Sequence, residues 1–271
     1  MKRIFSLFLA AALLLGCLAG CASGAKHVEL TVFAAASLTE TLTDLGQRYE
    51  AAHPGVKVHF NFDSSGTLKT QLEEGADCDL FLSAAPKQMN QLDITCDEEK
   101  NPDRLDLIDP DTRIDLLENK VALVVPAGNP AAIASFDDMA KALQQGGVLM
   151  AMGNADVPVG QYTEKIFDYY GLDKAALESG GLLSYGSNVK EVTSQVSEAS
   201  VDFGVVYQTD AYSAGLTVAD TATKEMCGQV IYPAAVLKNS KNAQAAKDFL
   251  AYLRTDEAGG VFTQVGFTPL G

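Results

Sequence analysis

The stretch that most constrains the fold is Leu30 to Thr39, where an apolar run ending in three alanines passes directly into an amphipathic helix pattern. Ser37 stands at the joint, and Leu38, Leu42, Leu45 and Tyr49 fall on one helical face. A buried strand feeding a helix with no loop between them needs apolar cover on both sides of its sheet. The pattern recurs at once. Val56, Val58, Phe60 and Phe62 alternate as a strand, and Ser64-Ser65-Gly66-Thr67 leads into another helix. Repeated strand–helix units predict an α/β fold built on a mostly parallel sheet. Each such junction also aims unpaired backbone N–H groups past the helix N-terminus, where an anion is favoured.

The same reading carries along the chain. Strands are predicted at 28–36, 79–83, 120–125, 148–152, 203–207 and 229–237, and helices at 38–52, 66–74, 86–92, 136–145, 161–170, 243–253 and 256–264. Val189, Val192, Val196 and Ala199 mark one face of a further helix, and Ser135 is a cap with Asp138 three residues on. Thr95 to Thr112, rich in Asp, Glu, Asn and Pro, reads as an exposed loop. Two apolar strands, 120–125 and 229–237, look like crossings between two lobes. The expected division is 28–122 plus 230–271 for lobe 1 and 123–229 for lobe 2.

The N-terminus is not part of that fold. Lys2 and Arg3 precede an apolar run from Ile4 to Leu15 that is shorter than the about 20 residues needed to span a bilayer. Residues 1–20 therefore read as a secretory signal and 21–27 as a tether. Leu18-Ala19-Gly20-Cys21 resembles the lipobox of bacterial lipoproteins, which implies acylation of Cys21 and an extracytoplasmic, lipid-anchored protein. That location is the periplasmic side of the cell membrane where an outer membrane exists.

The formal charge is −15, and loss of Lys2 and Arg3 makes the mature chain more acidic still. No basic stripe is present to meet phosphates, so nucleic acid is excluded as a partner. An anionic ligand is not excluded, because surface charge is screened beyond about 8 Å and local donors then decide. Cys78, Cys96 and Cys227 show no CxxC spacing, and three thiols cannot all pair. Extracellular export permits a Cys78–Cys96 disulfide, but buried and loop thiols are the expected state. His27, His53 and His59 form no cluster, so neither a metal cation nor a cofactor is expected.

Neutral donors recur at Ser37, at Ser64-Ser65-Gly66-Thr67, at Val157 to Gln161, at Ser187-Asn188-Val189, and at Tyr207 on a strand end. Lys190 is the one cation beside any of them. Each has an ordinary explanation. Ser37 and Glu40 spell a capping box, Ser64 to Thr67 a capped loop, and Tyr207 a half-buried aromatic. Val159 and Val189 are ordinary apolar helix starts that could offer only a backbone N–H. Taken together in order, they suit an oxyanion held by hydroxyls and N–H groups.

The segments Thr31 to Thr39, Phe62 to Leu68, Asp79 to Ala84, Val157 to Tyr162, Gly204 to Ala211 and Gly266 to Thr268 carry a family resemblance. They resemble the molybdate-binding lipoproteins of bacterial ABC transporters, within the type II periplasmic binding proteins. The resemblance implies two lobes, each a mostly parallel sheet flanked by helices, joined by two crossing strands. It also implies a monomer that binds molybdate or tungstate and delivers it to a membrane permease. Carried over, it places the oxyanion on Ser37 and Ser65, on the N–H groups of Val159 and Val189, and on the Tyr207 hydroxyl. Val159 stands where alanine is common, and Gly66 stands where some members have serine, which leaves Ser64 and Ser65 interchangeable by one position. Sulfate or another small oxyanion is the alternative ligand. Tyr169-Tyr170 is a pair of the kind an iron receptor would use, but it sits within a predicted helix that ends at Gly171. A serine hydrolase using Ser37 or Ser65 is the enzymatic alternative, but no histidine motif or Gly-x-Ser-x-Gly elbow supports it.

Overall fold

A computed structural model describes residues 27–271; the signal segment, Cys21 and most of the tether lie outside the described residues. The chain begins with strand β1 (Val28–Ala35), a 3-10 turn (Ala36–Leu38) and helix α1 (Thr39–Ala52). Then come β2 (Val56–Asp63), α2 (Ser65–Glu73), β3 (Leu80–Leu82), α3 (Pro86–Asn90) and β4 (Ile114–Asn119). The next section runs β5 (Val121–Val125), α4 (Phe136–Gln145), β6 (Met150–Gly153), α5 (Pro158–Tyr170), α6 (Lys174–Ser179), β7 (Leu183–Gly186) and α7 (Val189–Ser197). It continues with β8 (Phe203–Tyr207), α8 (Gln208–Ala214), β9 (Thr217–Thr221) and α9 (Lys224–Cys227). The chain closes with β10 (Val230–Val236), α10 (Ala243–Tyr252), α11 (Asp256–Val265) and β11 (Thr268–Pro269).

The strands form two sheets. One has the order β11-β4-β10-β3-β1-β2 and the other β7-β6-β8-β5-β9. Each sheet is mixed rather than mostly parallel. β2, β1 and β3 run parallel, as do β7, β6 and β8, whereas β10, β4 and β11 pair antiparallel, as do β5 and β9 with their neighbours. The cause is the chain path. Strands beside the two connections between sheets do not arise from βαβ units, so nothing forces them to run parallel.

The chain leaves the first sheet at Asn119 and is already paired in the second at Val121, opposite Tyr207. Residues 122–124 are paired with neighbours on both sides, so the crossing is the single residue Lys120 rather than a stretch of strand. Val121 and Ala122 thus lie in the second sheet. The return crossing is Gly228-Gln229, ahead of β10.

The loop from 95 to 112 is not simply exposed. Asn101 and Ile108 are fully buried, and Ile108 bridges Leu237 beside β10. Asn101 explains the order: its amide donates to the carbonyls of Asp93 and Leu105 and accepts the Leu105 N–H. A polar composition therefore hid a loop closed on an internal side-chain amide. Ser135 does cap α4, accepting the Asp138 N–H at 3.1 Å. Cys78, Cys96 and Cys227 are free thiols, and burial pushes Cys78 up to about 12, so it stays un-ionised.

Candidate functional site

Ser37 lies in the 3-10 turn ahead of α1, and the capping box spelled by the sequence is not formed. No side chain caps α1. Glu40 instead reaches across to Lys190 Nζ, at 2.8 and 2.9 Å to its two oxygens. Ser37 Oγ meets the Tyr232 hydroxyl at 2.9 Å, both groups buried. The 3-10 turn packs against α7, whose first residue is Val189.

Ser64 and Ser65 divide the work of their junction. Ser64 is the cap of α2, its Oγ accepting the Thr67 N–H at 3.1 Å. Ser65 is fully buried and its Oγ accepts the Ala84 N–H at 2.9 Å, which leaves its own proton to give. The next residue, Gly66, donates its N–H to Asp156 O in the loop before α5, at 3.1 Å.

The second-lobe helices use most of their first-turn donors internally. In α7 the Asn188 carboxamide accepts from Lys190 and Glu191, and Asn188 O accepts from Val192. The first-turn donor they leave over is the Val189 N–H. In α5 the first residue, Pro158, has no N–H, and Gly160 and Gln161 donate back to Val157 O. The donor left over is the Val159 N–H. Gly160 lets the start of α5 pack directly against the end of β6, because a Cβ there would stand 2.2 Å from Gly153 O.

Tyr207 ends β8 fully buried, and its hydroxyl has no hydrogen-bond partner among the described residues. Burial raises its pKa well above 10, with the nearby Tyr232, Tyr162 and Asp210 adding to the shift, so the group is a donor at any physiological pH. Its ring stands edge-on to Tyr232 with centroids 5.7 Å apart. Ser37 and Tyr232 are hydrogen-bonded and Tyr207 packs edge-on beside them, where the two sheets meet. Ser65, through Gly66 and Asp156, adjoins the loop that leads into α5 and Val159.

Three neighbours of these groups are not among the candidates read from the sequence: Tyr232 in the middle of β10, Asn119 at the end of β4, and buried Asp210 in α8. A polar residue inside an apolar strand, such as Tyr232 within Val230 to Val236, was the available clue. Lys190, the one cation beside a candidate donor, is turned to Glu40 and to Asp210 Oδ1 at 3.2 Å. The Asp210 contact is close enough for an ion pair, yet neither carboxylate oxygen has an aligned hydrogen-bond partner. Burial lifts Asp210 to about 6, with Lys190 pulling the other way.

Tyr169 and Tyr170 are not brought into this group: Tyr169 is exposed and Tyr170 donates to Asp137 at 2.7 Å. His53 stacks on Tyr49 at the far end of α1. Among the described residues, no cluster of His, Cys, Asp or Glu could hold a metal ion, and no helix is long and apolar enough to cross a membrane.

Two mixed α/β sheets with flanking helices, joined by two short crossings, define the class of two-lobed periplasmic binding proteins. The model of the bacterial extracellular solute-binding protein family matches residues 30–268, and the chain belongs to that family, whose members are transport receptors and not enzymes. It is 33% identical over 276 residues to YvgL of Bacillus subtilis, described as an ABC transporter substrate-binding lipoprotein, with 99% of each chain covered. It is 34% identical over 253 residues to the molybdate-binding protein ModA of Haemophilus influenzae, covering 91% of this chain and 92% of the relative. In structure it resembles the periplasmic molybdate-binding protein of Azotobacter vinelandii, with a TM-score of 0.74 over 89% of this chain and 100% of that one. Their sequences are 19% identical, so that likeness is one of fold.

Proposed function

We propose that this protein captures molybdate, and tungstate with it, outside the cell membrane and delivers it to the permease of an ABC transporter. The observation that carries the reading is the buried Tyr207 hydroxyl without a partner, one ring away from Ser37. A buried donor left unpaired costs about 1–3 kcal/mol, a cost an incoming anion relieves. The name of the Haemophilus relative supplies the choice of anion.

The proposed ligands are the hydroxyls of Ser37, Ser65 and Tyr207 and the N–H groups of Val159 and Val189. Hydrogen bonds to a charged group contribute about 1.5–3 kcal/mol each, so these five give on the order of 10 kcal/mol. Helix N-termini add up to about 1 kcal/mol apiece. No cation is required, which agrees with Lys190 being engaged elsewhere. Size then separates molybdate and tungstate from sulfate, which has the same charge and shape.

Capture proceeds by closure of the lobe built on the first sheet (28–119 plus 230–271) on the lobe built on the second (121–227), about the crossings at Lys120 and Gly228-Gln229. The Gly66–Asp156 and Glu40–Lys190 contacts between lobes belong to the closed form. Anchoring is by lipid on Cys21, and the protein acts as a monomer. Radiolabelled fatty acid retained by the wild type and lost in Cys21→Ala tests the anchor.

Calorimetry with molybdate, tungstate, sulfate and phosphate tests the function. Tight binding of the first two and weak or absent binding of the others is expected. A preference for sulfate, or silence with all four, overturns the assignment. Small-angle scattering should show compaction on adding molybdate.

A further inference from the structure

A serine hydroxyl facing a ligand can donate or accept, and its other neighbours decide which. Ser37 Oγ has one such neighbour, the Tyr232 hydroxyl at 2.9 Å. The Tyr232 oxygen in turn receives the Asn119 Nδ2–H at 3.2 Å. The orientation of that carboxamide is not in question, because Asn119 Oδ1 accepts the Lys120 N–H at 2.8 Å and Nδ2 also donates to Thr209 Oγ1 at 2.9 Å.

With Asn119 donating to it, Tyr232 must place its own proton elsewhere. Ser37 Oγ is the acceptor at hydrogen-bond distance. The other phenol nearby, Tyr207, stands edge-on to Tyr232 and close enough for Tyr232 to raise its pKa, but no aligned hydrogen bond joins the two hydroxyls, which leaves Ser37 as the aligned acceptor. Burial keeps Tyr232 protonated, its pKa lying well above 10. Ser37 therefore accepts from Tyr232, and its single proton is left for a ligand. Ser65 is held in the same polarity by a group that cannot reverse, the Ala84 N–H.

We infer that Asn119 and Tyr232 fix the direction of the Ser37 proton, making the anion site donor-only, and that Tyr232 is thereby a specificity-determining positioning residue against oxyanions that carry a proton. The inference rests on the oxyanion reading above and adds to it. Molybdate and sulfate are dianions without a proton at neutral pH, whereas hydrogen phosphate has the same charge and one O–H. In a donor-only site that O–H faces another donor. The arrangement spans both crossings, since Asn119 ends β4, Tyr232 lies in β10 and Thr209 belongs to α8.

The test is a competition measurement of molybdate against phosphate, at a pH where phosphate is the hydrogen phosphate dianion. Wild type, Tyr232→Phe, Ser37→Ala and the double variant are compared. Phenylalanine keeps the packing, and Asn119 keeps Thr209 as an acceptor; melting of each unliganded protein checks that the fold survives. In Tyr232→Phe, Ser37 is free to accept the phosphate O–H, so the molybdate-to-phosphate preference should fall at least about tenfold, mainly through tighter phosphate binding. In the Ser37→Ala background the same change should leave the preference unaltered. Molybdate binding with an unchanged preference in Tyr232→Phe overturns this inference alone. An equal shift with Ser37→Ala already in place also overturns it, because Tyr232 then acts through packing. A wild type that binds neither anion overturns the oxyanion reading and this inference together.

Discussion

The Gly66 N–H donates to the Asp156 carbonyl at 3.1 Å, a backbone-to-backbone contact between the two lobes. A Cβ on Gly66 would stand 2.3 Å from that oxygen, so the lobes approach this closely only because residue 66 has no side chain. Gly66 lies in α2 without a left-handed φ, so proximity and not backbone conformation is what requires glycine.

Gly66→Ala should therefore act on closure. Alanine favours a helix, so the unliganded protein should melt no lower than wild type. Molybdate affinity should fall at least about tenfold, which is about 1.4 kcal/mol. Calorimetry with scattering on the same samples checks this, and full compaction at unchanged affinity would refute it.

Tyr207→Phe separates binding from stability. It removes a donor to a buried charge, worth about 1.5–3 kcal/mol of affinity. It breaks no protein hydrogen bond among the described residues, so urea unfolding of the unliganded variant should match or exceed wild type. A loss of stability as large as the loss of affinity would show that the hydroxyl is structural.

Glu40 and Lys190 form a partly exposed pair between the lobes, with side chains 50% and 31% accessible. Solvent limits such a pair to about 1 kcal/mol or less. Glu40→Gln should raise the dissociation constant no more than about fivefold, and the difference should shrink in molar salt. A salt-independent loss would point to a role in folding instead.

Asp210 predicts a pH signature. Its folded pKa, about 6, lies above the about 3.9 of an unfolded aspartate, because burial disfavours the charge. The folded state thus holds the proton more tightly. This contribution favours folding below about pH 4 and is lost as pH rises through about 6. The charged groups facing it are Lys190, which offsets the cost, and Glu40, which adds to it. Asp210→Asn does not titrate, so its stability relative to wild type should climb between about pH 4 and 6 and then level off. Urea unfolding across that range checks it; a flat difference would count against a raised Asp210.

Strand and helix patterns were plain wherever a segment carried its own periodicity. The Phe203–Tyr207 strand and the Phe136–Gln145 helix fall where apolar spacing puts them. Some of the elements not foreseen, unlike the short helix Lys174–Ser179 with its own Asp173 cap, owe their form to a neighbour. Ile114–Asn119 reads as an unremarkable polar–apolar mixture until β10 and β11 pair with it on either side. The edge strand Thr217–Thr221 is partly or fully exposed throughout and has no apolar run, and the two residues of β11 are too few to show a period. Mixed sheet direction was equally hidden, since it follows from which strands flank the crossings.

Ser37 shows the same division within the candidate site. Its local sequence contains both a strand-to-helix junction and a Ser-x-x-Glu capping box, and nothing nearby chooses between capping the helix and facing a ligand. The order of hydroxyls and helix starts along the chain, from Ser37 to Tyr207, could be read directly, because it depends only on local periodicity. What the structure decides is that Ser37 does not cap: Tyr232, 195 residues away, takes its hydroxyl, and Lys190 takes Glu40 out of the capping box. Local spacing determines which groups become available at a helix start; only tertiary packing decides which buried partner each one meets, because a hydrogen bond in the interior goes to whatever the fold brings within about 3 Å.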